Sequence, residues 1–325
     1  MKVCVFGAGS VGGHMAGRLA QNGAEVSLVV RGAHLAAIQA YGLRVTAPDG
    51  TIEARVAASA DPADLGPQDA VIVSVKAPSL PSVAASIRPL LGRDTAVAFV
   101  MNGIPWWYFH GEGGPHDGTR LERIDPDNAI WNAVGPERAI GGVINSSCTV
   151  VEPGVVSVSN AHGRVALGEP SGRISERLQA LAAAMHSEFL VCETVPRIRE
   201  RVWAKLLLNF SAGPLNVLTQ ASTGDIFGDP VLEAAVRRAS EEVAAIAHAM
   251  GCTVTPNVDD QKARSTTGPS HTPSILQDLQ LGRPMEVDAM FGVPLEIARL
   301  AGVPTPTLDL LVGMVKLRAR RAGLY

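Results

Sequence analysis

Apolar residues in the first half of the chain fall into short runs, separated by segments whose polar and apolar positions repeat with a helical period. Residues 3–6 and 25–30 are strand-like runs, and the segment between them, 10–22, favours a helix. Residues 70–75 and 96–101 are apolar almost throughout, which is typical of strands buried on both faces of a sheet. This alternation predicts an α/β domain with a doubly wound parallel sheet.

Two further patterns in this half predict more strands. Residues 43–45 and 51–56 have the composition of a hairpin with its turn at Gly50. Residues 141–149 and 155–158 are each expected to form one strand. Helices are expected over 34–41 and 174–188.

Beyond residue 195 the periodicity becomes helical. Asp229 followed by Pro230 is typical of a helix start, because the Asp side chain can cap free N–H groups and Pro fits the first turn. The pattern over 286–300 predicts a helix that Gly292 and Pro294 should kink. Two more helices are predicted, over 272–282 and 304–321.

Residues 104–140 show no convincing periodicity, although they contain a concentration of large aromatic residues. These are Trp106, Trp107, Tyr108, Phe109 and Trp131. Loops of this length are usually lids, binding loops or disordered segments, and the aromatic content argues against disorder. Two interpretations stay open: a lid over an active site, or a surface excursion that folds on its own aromatic side chains.

Length, charge and composition restrict the class of protein. A chain of 325 residues is long enough for about two domains, which we place at 1–194 and 195–325. The formal net charge of −3 gives no support to a nucleic-acid-binding protein, and no apolar run has the length of a membrane span. The four cysteines form no CxxC pair, so neither a zinc site nor a disulfide framework is expected. The N-terminal residues lack the features of a secretory signal, which predicts a cytoplasmic protein.

A glycine-rich segment lies between the first predicted strand and the first predicted helix. It reads Gly7-Ala8-Gly9-Ser10-Val11-Gly12. In a GxGxxG pattern of this kind Gly7 permits a tight turn, Gly9 lets the backbone approach a pyrophosphate, and Gly12 lets the helix pack on the strand. The N-terminus of the helix then presents free N–H groups to the phosphates. We therefore expect these six residues to bind a dinucleotide.

The residue that follows the second predicted strand indicates which dinucleotide is bound. An NAD enzyme usually has Asp or Glu at that position to bind the ribose hydroxyls. This chain has Arg31 instead. The planar guanidinium of an arginine suits a 2′-phosphate, so the sequence favours NADPH over the alternative of a solvated surface arginine.

Two polar residues follow other predicted strands and are candidate cofactor ligands. Lys76 comes after residues 70–75, and Asn102 comes after residues 96–101. Ligands bind at the carboxyl ends of strands in this architecture. By spacing alone, each residue could equally be a plain turn residue.

A helical segment in the second half carries a possible proton donor. Lys205 and Asn209 are four residues apart, so they project from the same face of the helix. The opposite stripe is apolar and consists of Trp203, Leu206, Leu207 and Phe210. A lysine beside a carbonyl oxygen can donate a proton as hydride arrives, whereas the segment taken alone favours a solvated Lys/Asn face.

A set of motifs spans the whole chain in a specific order and spacing. Its members are Gly7, Gly9, Gly12, Arg31, Lys76, Asn102, Gly103, Trp203, Ala204, Lys205, Leu206, Asn209, residues 274–278, Glu286, Val287, Asp288 and Gly292. In these motifs the chain resembles the ketopantoate reductases (2-dehydropantoate 2-reductases). The resemblance implies a Rossmann-type domain followed by an all-α domain, with the active site between them. It also implies NADPH-dependent reduction of a 2-oxo acid, 2-dehydropantoate, to pantoate in pantothenate and coenzyme A biosynthesis.

The resemblance further implies roles for individual residues. Lys205 would be the general acid, and Glu286 would hold that lysine or the substrate hydroxyl. The polar groups of the substrate would be bound by Asn102, Asn209 and Ser274. Ser274 and Glu286 also lie where helices are predicted to start, so either could serve the helix alone. A homodimer is one possible assembly.

The chain departs from the family pattern at two positions that would bind the substrate. Gly213 and Thr223 stand where the family has asparagines, which should leave the pocket roomier and less polar. Two alternatives therefore stay open: a reductase of another 2-oxo acid with a bulkier or apolar tail, and an NADPH-binding sensor that no longer catalyses. Retention of Lys205 and Glu286 favours an enzyme, because a sensor needs neither residue.

Overall fold

The structure is a computed structural model that describes residues 1–267 and 272–325. Its chain forms two compact units. The first consists of Met1–Met101 and Pro105–Ile198, and the second of Asn102–Ile104 and Arg199–Tyr325. The sequence placed one boundary, at 194/195. It gave no sign that the three residues 102–104 belong with the second half of the chain.

The strands of residues 1–198 form two sheets. They are β1 (Lys2–Phe6), β2 (Glu25–Val29), β3 (Leu43–Ala47), β4 (Gly50–Ala54), β5 (Ala57–Ser59), β6 (Gln68–Val73), β7 (Leu91–Val100), β8 (Ala139–Asn145), β9 (Cys148–Glu152), β10 (Val155–Val158), β11 (Gly163–Gly168) and β12 (Leu190–Thr194). The larger sheet has the order β12-β11-β8-β7-β6-β1-β2-β5. Because β1 pairs in parallel with both β2 and β6, the chain reverses its direction of travel across the sheet there. This reversal is the switch point of a doubly wound fold, so the predicted fold class is confirmed.

Helices connect the parallel strands of this sheet. They are α1 (Ser10–Gln21), α2 (Gly32–Tyr41), α3 (Leu80–Ser86), α4 (Ala129–Val134) and α5 (Glu176–Met185). Parallel neighbours need such crossovers, because a tight turn cannot return the chain to the same end of the sheet. The helices predicted over 10–22, 34–41 and 174–188 are confirmed, with differences of up to three residues at their ends.

The smaller sheet has the order β4-β3-β10-β9. The predicted hairpin is confirmed: β3 and β4 are antiparallel, with Ala47 opposite Gly50. The single strand predicted over 141–149 is wrong, because β8 and β9 belong to different sheets. The chain leaves the larger sheet between β8 and β9. At this break the Ser147 N–H donates to the Asn160 side chain at 2.7 Å. An apolar pattern cannot show that break, because both strands are apolar.

Helix α1 lies between the two sheets. It packs on β1 and β2 and also on the smaller sheet. A Cβ atom on Gly13 would lie 2.7 Å from Val156 Cγ2, and one on Gly17 would lie 2.6 Å from Val45 Cγ2. Both glycines therefore allow an approach that any side chain would prevent. The helix is fixed on two sides, and its N-terminus carries the glycine-rich turn.

A buried polar cluster ties α1 to the turn between β3 and β4. Arg18 donates two hydrogen bonds to the Asp49 carboxylate, each at 2.6 Å. Arg18 Nε also donates to His14 Nε2 at 3.5 Å, which leaves Nδ1–H of His14 to donate to Ser146 Oγ at 3.0 Å. Burial lowers the pKa of His14 to about 4, and the neighbouring charge of Arg18 acts in the same direction. His14 is therefore neutral in the folded protein at neutral pH.

Four of the five aromatic residues of 104–140 are part of the interior of the first unit, and the fifth, Trp131, is half-buried. Trp106, Trp107, Tyr108 and Phe109 are each at most 1% exposed. The Trp106 ring meets Phe99 of β7 edge to face at 5.2 Å and Trp131 at 5.6 Å. These contacts favour the second interpretation, a surface segment that folds on its own aromatic side chains. Rings packed in the interior cannot also cover a substrate.

The second unit is helical in its described residues. Its helices are α6 (Ile198–Thr219), α7 (Thr223–Gly228), α8 (Pro230–Ala249), α9 (Val258–Thr267), α10 (Ser274–Gln280), α11 (Val293–Leu300) and α12 (Pro306–Arg321). The predicted start of α8 is confirmed, since the Asp229 carboxylate accepts the Val231 N–H at 2.8 Å. The irregularity expected at Gly292 and Pro294 takes the form of a π-helical turn, Asp288–Gly292, ahead of α11. None of the helices in the described ranges is long and apolar enough to span a bilayer.

The lowered pKa of His14 predicts that the free energy of unfolding of the first unit decreases in acid. An unfolded histidine titrates near 6.5 and this one near 4, so the unfolded chain binds the proton more tightly. The stabilisation is complete above pH 6.5 and is lost as the pH falls toward 4, by about 3 kcal/mol over the whole window. His14→Gln should therefore flatten the pH dependence of unfolding. Urea denaturation followed by tryptophan fluorescence at several pH values measures it, and parallel curves for variant and wild type would contradict the assignment.

Candidate active site

The glycine-rich turn lies at the carboxyl end of β1, beside the carboxyl end of β6. Gly7 has a φ of +96° and donates its N–H to Val29 O at 3.0 Å. Ser74 Oγ donates to Gly7 O at 2.8 Å, so the turn is held from both neighbouring strands. A Cβ on Gly12 would lie only 2.2 Å from Gly7 O, which requires glycine there. Gly9 differs, because no atom lies within 4 Å of the position its Cβ would take.

The other members of the motif form the start of α1. Ala8 is buried, and its carbonyl oxygen accepts a hydrogen bond from His34 of α2, while Ser10 and Val11 are half-buried in the first turn of α1. The first N–H groups of a helix have no partner within it. The turn therefore offers backbone donors and an open face at Gly9, which is what a bound pyrophosphate needs.

A cavity of about 530 Å³ adjoins this turn. Its lining consists of Phe6, Gly7, Ala8, Gly9, Val29, Val30, Arg31, His34, Val75, Val150, Val151, Glu152 and Pro153. The volume is typical of a small-molecule site. Arg31 is exposed at the start of α2, so its guanidinium can reach a charged group at the cavity. Lys76, which lies beyond the lining, is half-buried three residues after β6.

Sequence reasoning missed one residue that shapes this cavity. His34 Nε2–H donates to Ala8 O at 2.8 Å, and its Nδ1 accepts the Gly154 N–H at 2.8 Å. The imidazole thus joins the glycine-rich turn to the hairpin between β9 and β10. The two bonds require one neutral tautomer, with the proton on Nε2. Its place one turn after Arg31 was the only signal in the sequence.

The predicted lysine face is present on α6. Trp203, Leu206 and Phe210 are buried, as expected of the apolar stripe. Lys205 and Asn209 are half-buried, neither in the interior nor fully solvated. Partial exposure of this kind lets a lysine contact a ligand while part of its stem stays packed.

The structure brings together two motifs that lie far apart in the sequence. The Asn102 amide donates to Glu286 Oε2 at 3.2 Å, and Glu286 as a residue is only 6% exposed. Next to this pair, Ile104 N–H donates to Ala289 O at 2.9 Å. A Cβ on Gly103 would lie 2.3 Å from the same oxygen, and its φ of +85° also favours glycine. The Asn102-Gly103 motif is thus a docking segment for the backbone that carries Glu286.

The remaining candidate positions are less closely assembled. Ser274 is exposed at the first position of α10, where Pro273 precedes it without a capping side-chain bond. A Cβ on Gly213 would lie 3.5 Å from Phe291 and 3.8 Å from Ile275, so the side chains beside it are apolar. Thr223 is buried at the start of α7. In the described residues no group of three or more His, Cys, Asp or Glu side chains is arranged to hold a metal.

Comparison with known proteins agrees with this arrangement. Residues 3–112 match the family described as "Ketopantoate reductase PanE/ApbA", and residues 197–319 match "Ketopantoate reductase PanE/ApbA C terminal". A 2-dehydropantoate 2-reductase of Mesorhizobium japonicum is 41% identical over the full length of both chains. The chain belongs to the ketopantoate reductase family. It is therefore a pyridine-nucleotide-dependent oxidoreductase that acts on a small keto acid.

Solved structures of ketopantoate reductases have the same fold. A candidate ketopantoate reductase of Ralstonia solanacearum is 39% identical, with a TM-score of 0.93, and the match covers 100% of this chain and 99% of that one. A 2-dehydropantoate 2-reductase of Geobacter metallireducens is 27% identical, with a TM-score of 0.85 and coverage of 98% and 99%. The doubly wound sheet and the helical second half are thus features of the family.

Two substitutions separate cofactor contact from packing in the glycine-rich turn. Gly9→Ala adds a methyl group where no protein atom lies within 4 Å, so stability should be unchanged while a dinucleotide binds at least about tenfold more weakly. Gly12→Ala places a methyl group against Gly7 O and should lower the melting temperature. Thermal unfolding and titration with NADPH distinguish the two effects. Equal loss of stability in both variants would contradict these roles.

Proposed function

We propose that the protein catalyses NADPH-dependent reduction of 2-dehydropantoate to pantoate, a step in pantothenate and coenzyme A biosynthesis. The observation that carries the proposal is the pairing of Asn102 with the buried Glu286, which sets an amide and a carboxylate side by side. Such a pair can orient a polar substrate. The full-length relative at 41% identity supports the choice of substrate.

The residues of the first unit fit an NADPH molecule. The open face at Gly9 and the free N–H groups of α1 suit the pyrophosphate, and exposed Arg31 suits the 2′-phosphate. Lys76, three residues after β6, and Asn102, which belongs to the second unit, are the remaining proposed ligands. When bound, the cofactor supplies the hydride for the reduction.

The residues of the second unit handle the proton and the keto acid in this proposal. Lys205 donates its Nζ proton to the carbonyl oxygen at C2 as that carbon receives hydride, and the neutral amine regains a proton from water. Glu286 holds the lysine or the substrate hydroxyl. Asn102, Asn209 and Ser274 bind the polar groups of the substrate. The reaction forms one C–H and one O–H bond and leaves a 2-hydroxy acid.

A reductase of a different 2-oxo acid is the second candidate, and one observation favours it. Gly213 replaces a family amide, and its surroundings are the apolar side chains of Phe291 and Ile275. An apolar substrate tail could pack there without leaving a polar group unpaired. The same feature would weaken binding of a substrate that relies on the missing amide.

Other expectations from the sequence stay predictions. They include the division into a cofactor-binding part over 1–194 and a catalytic part over 195–325. Assembly as a homodimer and a cytoplasmic location belong to the same group.

Arg31→Ala tests the choice of cofactor. A charge-assisted fork to the 2′-phosphate should contribute about 1.5–3 kcal/mol, so the variant should lose roughly 10- to 100-fold of its preference for NADPH over NADH. Arg44→Ala is a matched control, since Arg44 is an exposed arginine of β3 paired with Glu53. Titration of each protein with both cofactors measures the preference. An unchanged ratio of NADPH to NADH affinity in Arg31→Ala would show that Arg31 does not recognise the 2′-phosphate.

A substrate panel tests the reaction itself. NADPH oxidation should be fastest with 2-dehydropantoate among 2-oxo acids that include branched and aromatic tails. Lys205→Ala should lower kcat by about 10²- to 10⁴-fold with little change in NADPH affinity. A higher kcat/KM for an aromatic or apolar 2-oxo acid would favour the second candidate, and absence of turnover with any 2-oxo acid would reject both.

A further inference from the structure

Glu286 lies at the junction between an irregular segment and a helical one. After α10 ends at Gln280 the chain makes a turn and then runs without regular structure to Glu286. Val287 is already helical, the Met290 N–H donates to Glu286 O at 3.1 Å, and the π-helical turn Asp288–Gly292 follows. A buried carboxylate on such a segment takes its direction from contacts on either side of it.

Two residues from the far end of the described chain supply contacts on both sides. Met285 N–H donates to Leu324 O at 3.0 Å, directly before Glu286. Tyr325 Oη–H donates to Asp288 Oδ1 at 2.9 Å, two residues after Glu286. Residues 324 and 325 therefore hold the 285–288 backbone by one main-chain bond and one side-chain bond.

Leu324 and Tyr325 are themselves fixed to the end of α12. Leu324 N–H donates to Ala319 O at 3.0 Å, after a turn in which Gly323 has a φ of +69°. The guanidinium of Arg320 lies 5.3 Å from the centre of the Tyr325 ring. The contacts to the Glu286 segment thus come from a folded helix end.

The acceptor of the tyrosine hydroxyl is also held in place. A Cβ on Gly292 would lie 2.4 Å from Asp288 Oδ1, so glycine leaves the room that this carboxylate occupies. Lys316 Nζ of α12 lies 3.8 Å from the same oxygen. The spacing of Asp288 and Gly292 therefore has a physical reason, which is to turn the carboxylate toward α12 and Tyr325.

We propose that Leu324 and Tyr325 are positioning residues that fix the Glu286 carboxylate for the reaction by holding the backbone on both sides of it. This inference rests on the proposed function, in which Glu286 holds the lysine or the substrate. A displacement of about 1 Å in a catalytic group can cost about two orders of magnitude in rate. The effect reaches the reaction through Glu286, so it should change kcat and leave cofactor binding alone.

Tyr325→Phe removes the hydroxyl and keeps the ring. Its kcat should fall about threefold to thirtyfold, with NADPH affinity unchanged and Tm within about 3 °C of wild type. Tyr41→Phe is the matched control, because Tyr41 is an exposed tyrosine of α2, and it should behave as wild type. Amide hydrogen exchange over 285–292 should be faster in Tyr325→Phe alone.

Asp288 provides an independent test of the same contact. Asp288→Ala should reproduce the loss in Tyr325→Phe, and the double variant should be no worse than either single one, because both remove one hydrogen bond. Asp288→Asn keeps an acceptor oxygen and should retain more of the activity. Additive losses would overturn the proposed coupling through this bond.

Glu286→Gln distinguishes failure of this inference from failure of the proposed function. If Glu286→Gln loses turnover while Tyr325→Phe keeps wild-type kcat and wild-type amide exchange, the bracing role is overturned and the proposed function stands. If Glu286→Gln itself keeps wild-type kcat, the proposed role of Glu286 fails and the bracing role fails with it.

Discussion

Burial of the Glu286 carboxylate is the constraint on which the second unit depends. Glu286 as a residue is only 6% exposed, and burial of an acidic side chain is costly unless hydrogen bonds replace the water it has lost. Asn102 supplies one such bond, and it can do so because Gly103 allows its backbone to approach Ala289 closely. The requirement explains why residues 102–104 leave the first unit, whose sheet they follow, and join the second.

A second constraint, close backbone approach at glycine, governs the first unit. Gly12 brings α1 onto the turn at Gly7, and Gly13 and Gly17 bring the same helix against the smaller sheet. The helix whose N-terminus presents the proposed phosphate-binding donors is thereby fixed from two sides. The smaller sheet also contributes its β9–β10 hairpin to the cavity at that turn, and His34 bonds the hairpin to Ala8. This sheet therefore has a part in shaping the proposed cofactor site as well as in covering α1.

The sequence predicted what local pattern determines and missed what distant contacts determine. The buried strands, α1 and the apolar stripe of Trp203, Leu206 and Phe210 follow from periodicity, and the glycine-rich turn follows from its place between strand and helix. The break between β8 and β9 depends on Asn160, and such a contact leaves no periodic trace. Residues 106–109 had the composition of a lid over a ligand, yet they pack into the first unit. Burial of their four aromatic rings is more favourable than leaving those rings exposed to water. In the site, Asn102 and Glu286 were each predicted, but not their hydrogen bond.

The proposed reaction divides binding of the cofactor and handling of the keto acid between different residues. Its most direct test is the single-turnover rate of hydride transfer in Glu286→Gln, measured by stopped flow from preformed NADPH complex with 2-dehydropantoate. We expect wild-type affinity for NADPH and a transfer rate lower by about two orders of magnitude or more. A wild-type transfer rate would contradict this division, as would loss of NADPH binding in the folded variant.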